Sequence, residues 1–389
     1  ATGYVRSDPR NRRTGAGLPT RLQVLRNRVA DALEQRIETT PAMALVGALT
    51  IGVREPITAR QWEVLRATGT THLMAISGLH ISLVAGLLFM GVKHGWSGMA
   101  RLTAYLPATR VAAVVALLGS LLYALLSGFA VPAQRAMIMV AVLMAAVMCG
   151  RRTTFPAVIG LAGIATLLLE PLSILATGWW LSFWAVTVIA WFVTGRVGGD
   201  RKLHRWFVMP AVLVFCMMPV LLLFFQQVSL VAPLANIVAV PWVSFLVVPV
   251  ALAGTALYSL SEVWGLAMMQ LSAWLLRPLW EVLTWLASSD VALQGWPQPS
   301  LPVLVLSTAG VALLCVPRGV PGRWAGALLL LPLLFGSRPQ PGHGEAWITL
   351  LDVGQGLATV VRTAGHTLVY DTGPAFGPDF DTGRAVVSP

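Results

Sequence analysis

Charged residues are scarce in this sequence of 389 residues, where Asp, Glu, Lys and Arg together make up 11% of the chain. Soluble globular chains carry about 25% charged residues, so this scarcity argues against an ordinary water-soluble fold. Cysteine is also rare: the chain has only Cys149, Cys216 and Cys315, and no CxxC pair. That spacing argues against a disulfide framework or a zinc knuckle. A GxxxxGK[ST] loop is missing too, so ATP is not bound by such a loop.

Hydrophobic residues make up 56% of the chain, and apolar runs recur from about Leu73 to Phe335. A transmembrane helix needs roughly 20 largely apolar residues. About ten segments are candidate spans, near residues 70–92, 111–127, 134–149, 155–169, 178–194, 208–225, 232–252, 264–287, 301–316 and 324–336. Three prolines fall in the seventh segment, so we predict that it is broken or kinked. The sequence therefore predicts a mainly α fold, a polytopic transmembrane bundle over residues 70–336.

The two flanking zones are less apolar. From Leu22 to Ile37 the apolar positions recur every three or four residues, which predicts an amphipathic helix. Residues 42–52 are apolar but too short to span, and we expect them in the membrane interface or buried against the bundle. At the other end, residues 347–353, 357–362 and 366–370 form apolar runs between glycine turns. These runs predict three strands of a soluble domain.

The net charge of +11 comes largely from basic residues in short loops between the apolar segments and in the first 69 residues. Basic residues cluster after the first, third, fifth and ninth candidate spans, and the positive-inside rule places those loops in the cytoplasm. Both soluble ends are then expected outside the inner membrane. Attraction of a polyanionic ligand is the other interpretation of the basic residues, and from charge alone ordinary topology is the simpler one.

Polar residues interrupt the apolar runs at three places. His72, Ser77 and His80 lie in TTHLMAISGLHI, and on a continuous helix the two histidines would share a face two turns apart. Polar groups at membrane depth either join helices through hydrogen bonds or line a polar path. Arg135 follows the helix-breaking Gly128 and Pro132, and it would either bind phosphate or extend to the lipid headgroups.

Asn236 lies between two prolines in APLANIVAVPW. A buried amide in a kinked helix usually joins neighbouring helices, and contact with a substrate is the alternative.

Two motifs near the C-terminal end contain Asp beside Gly. Asp352, Gly354, Gln355 and Gly356 form the turn of LDVGQG, and Asp371 begins DTG. Carboxylates at strand ends suit metal or hydrogen-bonding roles, whereas Asp and Gly are also ordinary turn residues. The local sequence alone favours ordinary turn chemistry.

Taken together, these stretches resemble the ComEC family of DNA-uptake proteins. HLMAISGLHISLVAGL is similar to the signature of the family's competence domain, and SGFAVPAQRA, GWWLSFWAV and APLANIVAVPWVSFLVVP resemble its further blocks. LDVGQG followed by VYDTG resembles the start of its metallo-β-lactamase-like domain. The resemblance covers roughly residues 20–389.

The resemblance implies four regions in this chain. Residues 1–20 would end a periplasmic OB-like domain, 21–69 would form amphipathic or interfacial helices, 70–336 would be the transmembrane competence domain, and 345–389 would start the metallo-β-lactamase-like domain. The implied function is an inner-membrane channel that passes single-stranded DNA during natural transformation, while duplex DNA arrives at the periplasmic face. The path would be lined by His72, Ser77, His80, Arg135 and Asn236.

The resemblance also implies a nuclease in the full-length protein, which would degrade the other strand with a divalent metal, Mn or Zn. Asp371 matches the first conserved strand-end Asp of that site. The family's HxHxDH run is absent from this chain, so we assign it no catalytic residue. Membrane lipid, a periplasmic DNA receptor and a cytosolic translocase ATPase are the other expected partners.

Two alternatives remain open at this stage. A secondary transporter of a small solute would also use broken helices near the membrane midplane. A membrane-anchored metallohydrolase would use the spans only as a tether, which does not require histidine and asparagine inside them.

Overall fold

A computed structural model describes residues 21–37, 39–74, 76–151, 153–194, 202–316, 321–335, 340–354, 356–374 and 383. The fold is mainly helical, at 71% helix, with a few small strands. The expected end of an OB-like domain, residues 1–20, lies outside the described residues.

Four short helices begin the described chain: α1 (Arg21–Ile37), α2 (Ala42–Thr50), α3 (Ala59–Ala67) and α4 (Thr71–Met74). The amphipathic helix predicted from Leu22 is confirmed as α1, which buries Val29, Ala32 and Leu33. Every residue from Met43 to Thr50 of α2 is buried. Of the two expected placements for residues 42–52, the structure therefore shows burial against the bundle.

The apolar part of the chain continues through twelve further helices: α5 (Gly78–Ser97), α6 (Ala100–Tyr105), α7 (Ala108–Leu126), α8 (Val131–Met148), α9 (Phe155–Leu169), α10 (Thr177–Thr194), α11 (Lys202–Phe225), α12 (Ala232–Trp242), α13 (Val248–Tyr258), α14 (Glu262–Ala287), α15 (Leu301–Cys315) and α16 (Ala325–Leu334). All ten predicted apolar segments contain helix. The short strand β1 (Gln227–Val228) lies between α11 and α12, and β2 (Gln294–Gly295) lies between α14 and α15. The two strands pair antiparallel.

Four helical stretches within the described residues are long and apolar enough to cross a membrane: Gly78–Ser97, Ala108–Leu126, Val131–Met148 and Ala232–Tyr258. Others are apolar but shorter, such as Phe155–Leu169 with 15 residues. At a rise of about 1.5 Å per residue, such a helix reaches roughly 22 Å, less than the hydrocarbon core of about 30 Å. The predicted count of ten spans is thus not confirmed.

The segment that contains Pro233, Pro241 and Pro249 is one helical stretch whose hydrogen-bond pattern changes in the middle. Helix α12 contains Pro241 and ends at Trp242, and a π-helical turn, Val243–Val247, leads into α13. Proline lacks the N–H group that would continue the ladder, so the local helix must adjust around it.

Two helix clusters meet near the start of α5. The first, which we call the amino-terminal cluster, joins α1–α4 to α12–α14 and includes Leu73 and Met74. The second, the central cluster, joins α5, α7 and α8 and includes Ile76 and Ile81. The chain therefore passes from one cluster to the other between Met74 and Ile76.

A small antiparallel sheet follows the helices, in the order β3 (Ala346–Leu350), β4 (Ala358–Thr363) and β5 (Thr367–Thr372). All three strands that the sequence predicts near the C-terminal end are confirmed. Their side chains are largely exposed, with every residue of β3 and β5 exposed.

Candidate functional site

The backbone just after α3 lies in close contact with α12, at Gly69 and Ala232. Gly69 has φ +65°, and a Cβ atom on it would lie 2.7 Å from the Cβ atom of Ala232 in α12. The N–H of Thr70 donates to Leu65 O and that of Gly69 to Arg66 O, which is the Schellman arrangement. Only glycine combines this conformation with this contact, and it brings the Gly69 backbone beside α12.

The carbonyl oxygen of Gly69 accepts two side-chain contacts. His72 Nδ1 lies 3.1 Å from it, and Asn236 Nδ2 lies 3.5 Å away, a longer and weaker contact. Because a carbonyl only accepts, His72 carries its proton on Nδ1 in this bond. Asn236 also donates to Ala232 O at 2.9 Å, while its Oδ1 is buried without a partner.

His72 is an exposed residue at the start of α4. Its imidazole is therefore accessible while it remains bonded to the Gly69 carbonyl at 3.1 Å.

The prediction that His72 and His80 share one helix face is wrong, because no continuous helix joins them. Helix α4 ends at Met74, and Ser77 takes the extended N-cap conformation (φ −87°, ψ 160°) before α5 begins at Gly78. Serine is a favoured N-cap residue, but the surrounding apolar residues made the segment resemble one continuous helix.

His80 and Ser77 carry buried polar atoms without partners. His80 is 0% exposed, and neither ring nitrogen has a hydrogen-bond partner; the same holds for Ser77 Oγ. The backbone N–H of His80 donates to Ser77 O at 3.0 Å, so the two residues occupy the same first turn of α5. A buried unpaired polar group costs about 1–3 kcal/mol, which favours water or a polar solute beside this turn.

Arg135 lies apart from that group and contacts α10. It is 5% exposed, and its Nη2 donates to Ser182 Oγ at 3.2 Å. Gly178, one turn earlier in α10, leaves room for the guanidinium, since a Cβ atom there would lie 3.1 Å from Nη2. The side chain is therefore buried between helices, and extension to the headgroups is not what the structure shows.

The structure thus joins some of the predicted residues and separates others. His72 and Asn236 meet at Gly69 O, and Ser77 and His80 occupy one helical turn, whereas Arg135 contacts α10 instead. The sequence interpretation missed Gly69, Gly178 and Ser182. Gly178 and Ser182 are four residues apart in an aromatic-rich segment, so on a helix they share one face. That spacing could have indicated a contact surface for another helix.

The two C-terminal motifs form turns that contact each other. Asp352 Oδ1 accepts from Gly354 N at 3.1 Å, and Asp371, with φ +58°, accepts on Oδ1 from Gly373 N at 3.1 Å. A Cβ on Gly356 would lie 2.6 Å from Pro374 Cδ, so the turns are in contact. Gln355 of the first turn lies outside the described residues.

The expected metal ligand Asp371 stays a prediction. Over the ranges that the structure describes, no group of three or more His, Cys, Asp or Glu side chains could hold a metal ion. A single carboxylate engaged with its own backbone does not make a metal site, since three or four protein ligands are usual. Among the residues that the structure describes, Asp371 therefore has no partner ligands for a metal ion.

Comparison with known proteins identifies the family. The family model for the competence protein matches residues 49–321, which include His72, Ser77, His80, Arg135 and Asn236. The chain is 37% identical to Competence protein ComA of Neisseria gonorrhoeae over 336 residues, 85% of this chain and 46% of the relative. No solved structure matches it.

Two further relatives support the match. The ComE operon protein 3 of Bacillus subtilis is 28% identical over 85% of this chain and 43% of its own length. Recombination protein 2 of Haemophilus influenzae is 29% identical over 89% of this chain and 49% of its own length. The chain spans about half the length of the curated relatives it matches. Because the family model covers well over half of the sequence, the chain belongs to the competence protein family.

Proposed function

We propose that this chain is the membrane part of a protein that passes single-stranded DNA across the bacterial inner membrane during natural transformation. Membership of the competence family and the names of its relatives, one of which refers to competence and one to recombination, support a role in DNA uptake. The four helices that are long enough to cross a membrane support a location in the bilayer.

The observation that carries the proposal is the unpartnered first turn of α5. In an apolar helix bundle, the ring nitrogens of His80 and Ser77 Oγ are buried without protein partners. Polar groups inside a membrane protein usually face the protein interior or water and mark substrate pathways. We infer that the strand passes beside this turn, where water and polar groups of the strand would satisfy these atoms.

The other polar residues extend this path. His72 and Asn236 are held at Gly69 O, between α3 and α12, and Arg135 supplies a positive charge next to α10. Conduction requires that binding be weak enough for the strand to leave each site. A path with one arginine and neutral polar groups meets this requirement better than a lining dense in arginine.

The rest of the protein completes the proposal. Both soluble ends lie in the periplasm, where duplex DNA arrives from a receptor, and basic loops face the cytoplasm. The full-length protein would degrade the second strand in its metallo-β-lactamase-like domain, with Mn or Zn bound by Asp371 together with residues that this chain does not contain. A cytosolic translocase ATPase would pull the strand, since this chain has no GxxxxGK[ST] loop.

Transport by the purified full-length protein tests this proposal. The protein is reconstituted into liposomes that contain a trapped single-strand binding protein, and a labelled single strand is added outside. We expect label to become protected from external nuclease, and His80→Leu to abolish that protection. If no strand is protected while a small labelled solute enters, the solute transporter is the correct function.

A further inference from the structure

Arg135 is a buried cation with few partners. Its guanidinium has five N–H donors; Nη2 donates to Ser182 Oγ, while Nε is buried and unpartnered. Within the described part of the chain no carboxylate forms an ion pair with Arg135, although Glu170 interacts with it electrostatically. A buried charge without a counter-charge is destabilising, so the site is suited to an anion.

The guanidinium also faces a second positive feature, the beginning of α10. Gly178 is the second residue of this 18-residue helix, and its missing side chain lets Nη2 approach to 3.1 Å from the Cβ position. The first turn of a helix carries a partial positive charge, and in α10 the Trp179 N–H donates to Ala176 O at 2.9 Å. Two positive features side by side repel each other unless an anion lies between them or beside them.

Further donors flank the same turn. Trp179 Nε1, one residue after Gly178, and Ser173 Oγ, in the 3-10 turn Pro171–Leu175 that precedes α10, are both buried without a partner. These two donors lie within five residues of Gly178 along the chain, next to the helix start that the guanidinium contacts. A tetrahedral oxyanion matches such a set better than a planar or neutral ligand, because an arginine fork and backbone N–H groups are the usual phosphate ligands.

We propose that Arg135, the first turn of α10 and Ser182 form a phosphate-binding site that receives one phosphodiester group of the DNA strand in transit. This inference rests on the proposed function and names a contact within it. A lipid headgroup phosphate has the same chemistry, but Arg135 is 5% exposed and faces α10 rather than the outer surface of the bundle. We assign the strand rather than the lipid because Arg135 contacts α10 inside the helix bundle.

The test measures binding of a fluorescent single-stranded oligothymidine to the full-length protein in phosphate-free maltoside micelles, over a range of salt concentrations. A lost phosphate contact lowers the slope of log affinity against log salt by about 0.7 for a single strand. For Arg135→Gln we expect that decrease and an affinity about tenfold lower. Arg135→Lys should keep the slope, since the charge remains, and lose only part of the affinity.

Matched variants separate this effect from misfolding. Arg110→Gln removes an exposed arginine from the first turn of α7 and should change neither slope nor affinity. Gly178→Leu fills the space in front of the guanidinium without changing charge and should lower both. Size-exclusion profiles check that each variant is folded.

Three results would overturn the inference. An unchanged slope in a folded Arg135→Gln protein contradicts a phosphate contact at this residue. If Arg135→Gln leaves DNA binding intact but abolishes the thermal stabilisation that added phosphatidylglycerol gives the unaltered protein, the site binds lipid headgroups instead. If the unaltered protein binds no single strand at all, the proposed function itself is wrong, and the inference is wrong with it.

Discussion

His72 and Asn236 meet at one acceptor, the carbonyl oxygen of Gly69, although 164 positions separate them in the sequence. The contact of His72 Nδ1 is 3.1 Å and that of Asn236 Nδ2 is 3.5 Å. These two contacts at the Gly69 carbonyl connect the loop after α3 to the first turns of α12. They lie close to the place where the chain leaves the amino-terminal cluster for α5. A change at either residue is therefore expected to affect the other.

A double-mutant cycle measures that coupling. Residues that share one hydrogen-bond partner usually show non-additive effects of about 0.5–3 kcal/mol. We expect His72→Ala and Asn236→Ala to destabilise the protein by more together than the sum of their separate effects, because either donor alone still bonds the Gly69 carbonyl and only the double variant leaves it unpaired. Thermal unfolding in detergent provides the measurement, and strict additivity would contradict a shared acceptor.

Gly69→Ala should be strongly destabilising. The substitution places a side chain at φ +65° and a Cβ atom 2.7 Å from that of Ala232, so α3 and α12 must separate. We expect a loss of about 1–3 kcal/mol in the free energy of unfolding, from backbone strain and overpacking. Gly86→Ala in α5 is the matched control, since nothing lies within 4 Å of its Cβ position. Equal unfolding temperatures for the two variants would show that the approach at Gly69 is not tight.

His80→Leu separates stability from function. The substitution removes two buried ring nitrogens that have no partner, so the free energy of unfolding should stay the same or rise. DNA uptake should nevertheless be abolished, because the polar turn becomes apolar. Ser120→Ala serves as control, as Ser120 is also buried but bonds to Ala116 O in its own helix at 2.7 Å. Undiminished uptake by a normally expressed His80→Leu protein would remove His80 from the path.

Much of the fold follows from the sequence, because an apolar run of sufficient length forms a helix whatever lies around it. All ten apolar segments contain helix, and the three C-terminal strands are where alternation and glycine turns predict them. The separation of α4 from α5 was missed, since Ser77-Gly78 is a short N-cap signal inside a continuous apolar run. The contacts Gly69–Ala232 and Arg135–Ser182 are tertiary, and no local pattern encodes which helices meet.

The orientation in the membrane is a separate prediction. A cysteine placed at Glu345, which is exposed just before β3, should react with a membrane-impermeant maleimide in intact spheroplasts. A cysteine at Ser97, exposed at the end of α5 in a basic loop, should react only after the membrane is opened. Both variants are made with Cys149→Ser, because Cys149 is exposed. The opposite labelling pattern would place the soluble ends in the cytoplasm.

The most direct test of the central claim follows radiolabelled duplex DNA in cells that lack this protein. The account predicts that label stays outside the inner membrane in those cells, and that single-stranded label reaches the cytoplasm once the full-length protein is restored. Normal entry of label into the cytoplasm without the protein would contradict the account.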